Sequence, residues 1–113
     1  MKMRTDIQSI EEIENFINEK DAILLYFSTS TCNVCEVLKP KIEEEFKKNF
    51  PKIEQVFINA TDAPQVAAHF QVFSTPTILI FLQSKEFARE SRNVGISQLI
   101  EKVRRPYDIM NSD

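Results

Sequence analysis

Glycine is almost missing from this chain: Gly95 is the only one in 113 residues. Turns must therefore rely on Asn, Asp and Ser, which tolerate left-handed backbone with the help of local side-chain hydrogen bonds. Tryptophan is absent, histidine is limited to His69, and cysteine to Cys32 and Cys35. Neither sign of charge dominates. Fourteen basic and 17 acidic residues are mixed along the chain for a net charge of −3, which removes the electrostatic case for nucleic acid. The doublets Lys47–Lys48 and Arg104–Arg105 are too short to be more than solvated helix faces. No apolar run approaches the roughly 18 residues of a membrane span, and the longest, residues 22–27 and 78–82, have strand length. The N-terminus, "MKMRTDIQSIEEIENF", turns acidic and amphipathic where a signal peptide would be apolar. The chain as given is expected to be cytoplasmic, unless a leader has already been removed. In a reducing compartment two cysteines argue against a structural staple and for redox or metal chemistry.

What is present is an ordinary globular composition, 42% hydrophobic with nine Phe, long enough for one domain over residues 1–113 with a modest core. Ser9 followed by Glu12 forms a capping box, and Ile10, Ile13, Phe16 and Ile17 then share one helical face. "AILLYF" (22–27) reads as a strand buried on both faces. Val34, Val37, Leu38, Ile42 and Phe46 mark a helix from about Cys32 to about Asn49, with Pro40 inside it as a kink. Residues 52–59 read as a second strand, and Asp62 with Gln65 as a cap for a short helix ending near Phe70. "TILIFL" (77–82) is a third buried strand and residues 86–92 a half-wet fourth. Ser97 is expected to cap a last helix ending near Arg105, because Pro106 follows. A short extra strand is expected near residues 2–6. This order implies an α/β fold with a mixed sheet covered on both faces.

The chemistry concentrates in "STSTCNVCEVLKP", residues 28–40. The first cysteine of a C-x-x-C that ends a strand and opens a helix lies over free backbone N–H groups, and the helix dipole stabilises its thiolate. The second lies about one turn away and can resolve a mixed disulfide formed by the first. Two other readings stand beside this one. The pair can be half of a metal site or iron–sulfur cluster shared between two chains, since the rest of one chain offers one His, His69, and no further Cys. It can also be two inert buried thiols. A second signal is "FSTPTILIF", where Pro76 after Thr75 and before a strand is a candidate cis peptide or an ordinary trans strand-edge proline.

The C-x-x-C, a proline five residues beyond it and the later "TPT" before an apolar strand together resemble the thioredoxin family, over about residues 5–105. The resemblance implies a thioredoxin-like fold, with a central mixed sheet of four to five strands flanked by four helices. It implies that Cys32 is the exposed nucleophile and Cys35 the buried resolving thiol. Pro76 would be cis and lie against the pair, with the backbone of Thr75 pairing with substrate. Gly95 would be the loop glycine that lets a substrate backbone approach. The departures bear on redox poise. Thr31 stands where an aromatic is usual, and Asn33 and Val34 replace Gly-Pro. Tyr26 occupies the place of a buried aspartate that moves a proton for the resolving thiol, and a phenol is no base near neutrality. Glu36, where a basic residue is common, would raise the Cys32 pKa. The resemblance further implies a monomeric reductant of protein disulfides. It would need no bound cofactor or metal and would be recharged by a thioredoxin-reductase-like flavoenzyme or a low-molecular-weight thiol. The competing class is a slow thioredoxin-fold binding module that holds a partner or a shared cluster.

Overall fold

The computed structural model describes residues 9–112. Its elements are α1 (Ile10–Glu19), β1 (Ala22–Ser28), α2 (Asn33–Asn49), β2 (Glu54–Asn59), α3 (Pro64–His69), β3 (Thr77–Leu82), β4 (Lys85–Ser91) and α4 (Ile96–Met110). The strand expected near residues 2–6 lies outside the described residues. The described strands form one mixed sheet in the order β2-β1-β3-β4, with β1 parallel to β2 and antiparallel to β3.

The unbroken apolar run of β1 is explained by its central place. Leu24 and Tyr26 face a core built with α2 and α4, while Ile23, Leu25 and Phe27 face a second core built with α1 and α3. A strand that alternates between two dry faces has no position left for a polar side chain. This central strand ends at Ser28, four residues before Cys32, and so delivers the dithiol to one end of the sheet, above the carboxyl end of β1.

Three local expectations are corrected. The short helix begins with Ala63 at the N-cap and has no side-chain cap bond. The backbone N–H groups of Asp62 and Ala63 both donate to the Asn59 carbonyl, so the chain is still turning where Asp62 was expected to cap. The last helix starts at Ile96, one residue before Ser97, with Gly95 at its N-cap, because Ile96 packs onto the core. It also runs through Pro106 to Met110. Tyr107 makes the difference: its ring lies 4.8 Å from that of Phe50 and its hydroxyl accepts the Lys52 N–H at 3.1 Å. Burying that ring outweighs the one helical hydrogen bond a proline removes. The next turn of helix follows from it.

The scarcity of glycine is met in an unexpected way. The left-handed positions among the described residues are Gln71, Gln83, Ser84 and Arg92, and Gly95 is not one of them. Gln83 and Ser84 form the two-residue β3–β4 turn, and φ of 51° and 70° marks the mirror-image turn that matches strand twist. Asparagine tolerates this region better than glutamine. Gln83→Asn is therefore expected to raise Tm by about 2–5 °C in a thermal melt, equivalent to roughly 0.5–1 kcal/mol. An unchanged or lower Tm refutes the assignment of strain to Gln83.

Candidate active site

The loop between β1 and α2 is tied down before it reaches the cysteines. Ser30 donates its N–H to Thr61 Oγ1 at 3.2 Å and its Oγ accepts from Asn59 Nδ2 at 3.2 Å. Asn59 Oδ1 in turn accepts the Thr61 N–H at 2.8 Å, a local Asx turn at the end of β2. Cys32 is the N-cap of α2, its Sγ accepting the Cys35 N–H at 3.2 Å. The two cysteines form a disulfide, with Cα atoms 5.3 Å apart. They are unequal in access. Cys32 is partly exposed, whereas Cys35 is only 1% exposed.

A groove of about 290 Å³ opens over Cys32. Cys32, Asn33 and Val34 line it from the start of α2, and Thr75, Pro76, Arg92 and Asn93 from the two facing loops. The Thr75–Pro76 peptide is cis. Thr29 and Thr75 approach through their hydroxyls at 3.4 Å, and the Pro76 carbonyl accepts the Arg92 N–H at 2.8 Å, so the three loops are linked. Val34 and Val37, both 60% exposed, share an apolar patch with Asn33 and Leu38 at the start of α2, and Phe73, 85% exposed, lies two residues before Thr75 in the facing loop. Thr31 is exposed just before the N-cap and Gly95 caps α4, and neither lines the groove. A Cβ on Gly95 would run into the Gln98 side-chain amide, so the space its missing side chain leaves is taken by this neighbour.

The far side of the pair is drier. Tyr26 is fully buried, donates its hydroxyl to the Cys35 carbonyl at 2.8 Å and packs its ring 5.6 Å from that of Phe57. Burial, and secondarily the charge of Glu36, pushes its phenol up to about 12. A cleft of about 150 Å³ leads to Cys35 between Glu36, Lys39, Phe57 and Asn59. Lys39 Nζ sits 4.9 Å above the Phe57 ring. Glu36 thus lines the cleft on the Cys35 side, while the groove over Cys32 is lined without it. A larger cleft of about 510 Å³ lies at the opposite end of β1, among residues such as Glu19, Lys52 and Tyr107, and has no cysteine.

Several of these residues were not singled out from the sequence. Asn59 and Thr61 carried a readable signal, an Asx turn closing a strand. Phe73 carried none of its own, since it follows the equally apolar Val72 and only the structure shows that Val72 is buried and Phe73 exposed. Arg92 and Asn93 had none, since their approach to Cys32 depends on how β4 ends.

A partly exposed cysteine paired with a buried one at the start of a helix, on a mixed sheet covered on both faces, defines a thiol–disulfide oxidoreductase of thioredoxin-like fold. The chain belongs to the thioredoxin family: the family model described as Thioredoxin matches residues 5–105. It is 36% identical over 113 residues to the Thioredoxin-like protein YdfQ of Bacillus subtilis, spanning 100% of both chains. It is 32% identical over 97 residues to Protein disulfide-isomerase A4 of Rattus norvegicus, covering 83% of this chain but 15% of that protein. The structure of Fasciola hepatica thioredoxin superposes with a TM-score of 0.77 at 26% identity, covering 88% of this chain and 98% of the other.

Proposed function

We propose that this protein reduces protein disulfides in the cytoplasm, as a monomer, with electrons from a thioredoxin-reductase-like enzyme or a low-molecular-weight thiol. The observation that carries the proposal is the difference in access between Cys32, open to the groove, and Cys35, sealed behind it. In the reduced protein the Cys32 thiolate attacks one sulfur of the substrate disulfide. That bond breaks, a Cys32–substrate disulfide forms, and the departing substrate sulfur takes up a proton. Cys35 then loses its proton and attacks Cys32 Sγ, releasing the second substrate thiol. Two electrons pass to the substrate, and the chain is left as the Cys32–Cys35 disulfide. Thr75 offers its backbone to the substrate strand beside Pro76, and Val34 and Phe73 supply apolar contact.

Asn33 and Val34 tune the potential through the turn that separates the two sulfurs. Tyr26 makes the second step slow. A phenol held near 12 takes no proton from a thiol at neutral pH, and its own proton is engaged with the Cys35 carbonyl. The Cys35 proton must leave through the cleft beside Glu36 and Lys39. Stopped-flow reaction of the reduced protein with a peptide disulfide is expected to show fast mixed-disulfide formation. Resolution should be slower and should gain about tenfold per pH unit below the Cys35 pKa. A pH-independent resolving step would disprove this account. Dithiol-driven insulin reduction tests the function itself. Turnover supports a reductase, and partner capture without turnover would show a binding module instead.

A further inference from the structure

We propose that Arg92 forms an anion subsite beside Cys32 that selects disulfides carrying a carboxylate next to the attacked sulfur. The inference rests on the disulfide-exchange reading above and names the class of substrate.

The backbone shows that Arg92 is held in place. It sits at the end of β4 with φ of 60°, the left-handed region that disfavours a side chain with a Cβ. Its N–H donates to the Pro76 carbonyl at 2.8 Å and its carbonyl accepts the Val94 N–H at 2.9 Å. The first bond pins the residue to the loop that carries Thr75 and Pro76, and the second closes a tight local turn after it. Strain of this kind persists where the surrounding structure enforces it, and it clusters at ligand sites.

The side chain is available for a ligand. Arg92 is exposed, and no hydrogen bond or ion pair to its guanidinium is formed among the described residues. The other three left-handed positions lie away from the groove, and Arg92 is the one charged residue in the groove's lining. A guanidinium presents donors in a planar fork that matches a carboxylate. The N-terminal end of α2 adds partial positive charge on the facing wall, at Asn33 and Val34. An anionic group on the substrate is therefore met from two sides, next to the atom that is attacked. The carboxylate has two sources, an acidic residue flanking the cysteine of a protein substrate or a carboxylate of a low-molecular-weight disulfide such as glutathione disulfide.

Two pairs of substrates separate the sources. The first is a peptide disulfide with Asp beside the cysteine against the same peptide with Asn. The second is glutathione disulfide against its ethyl ester. For the unmutated protein, kcat/KM is expected to favour the carboxylate member of at least one pair by about three- to fivefold at low salt. The preference should shrink toward one near 0.5 M salt, about the range where exposed charges are screened. Whichever pair shows the preference names the source. In Arg92→Gln the ratio should fall to about one. Arg92→Gly, which suits the left-handed backbone, should give the same loss without depending on how glutamine is accommodated. A ratio near one in the unmutated protein, or a preference that survives both substitutions, overturns the subsite. Failure to turn over any disulfide would instead remove the reading beneath it.

Discussion

Cys32→Ser is expected to lower dithiol-driven insulin reduction by roughly a thousandfold or more, the scale seen when a covalent nucleophile is removed. A hydroxyl is not ionised at neutral pH and does not exchange with a disulfide, so no first step remains. Cys35→Ser should behave differently. Cys32 stays in the groove with Asn33, Thr75 and Pro76 around it, so attack continues and the mixed disulfide accumulates. Non-reducing gels or intact mass spectrometry of Cys35→Ser incubated with a peptide disulfide should show one peptide attached per chain. The asymmetry of the two variants is the informative part. If Cys35→Ser fails to trap peptide while Cys32→Ser traps it, the exposed and buried roles are reversed and the groove is misassigned.

Tyr26 is expected to give the largest effect on stability. Its ring is fully buried between α2 and the sheet, and its hydroxyl is spent on the Cys35 carbonyl. Tyr26→Ala removes both and should cost about 3–5 kcal/mol in urea unfolding, as other large-to-small core changes do. Tyr26→Phe keeps the ring and should cost only about 1 kcal/mol near neutral pH. The pH dependence separates the ring from the hydroxyl. Well below pH 10 the folded and unfolded chains both hold the phenol proton, and Tyr26 contributes no slope. Between pH 10 and about 12 the unfolded chain releases that proton while the folded chain keeps it. Stability therefore falls as pH rises through this window, by about 2–3 kcal/mol in all. Tyr26→Phe should lose this component. With two tyrosines and no tryptophan, the near-ultraviolet absorbance of tyrosinate follows the titration directly. A Tyr26 phase near pH 10 instead of about 12 would show that the phenol is not sealed from water.

The same residue shows how site chemistry and fold are coupled. A carboxylate at this position, buried and unpaired, would serve proton transfer at the expense of desolvation. Tyr26 gives up that base and gains a packed ring and a satisfied hydrogen bond. The cleft lined by Glu36 and Lys39 is then the opening on the Cys35 side of the pair.

Much of this protein was legible in one dimension. The apolar runs of β1 and β3, the helical spacing that begins at Val34, the pair Cys32 and Cys35 and the Thr75-Pro76 dipeptide all depend on near neighbours in the chain. Period and spacing therefore sufficed to infer a mixed sheet covered on both faces, with a dithiol at a strand-to-helix junction. What tertiary structure alone decided depends on contacts between distant residues. Tyr107 reaching Phe50 and Lys52 carries α4 past Pro106, against the local rule. The turn at Asn59 moves the start of α3. Most consequential is the end of β4, where a hydrogen bond to Pro76 brings Arg92 into the groove over Cys32 while Gly95 goes to the cap of α4. No local pattern marks an arginine as the neighbour of a cysteine sixty residues earlier, because only the closure of the sheet sets that distance.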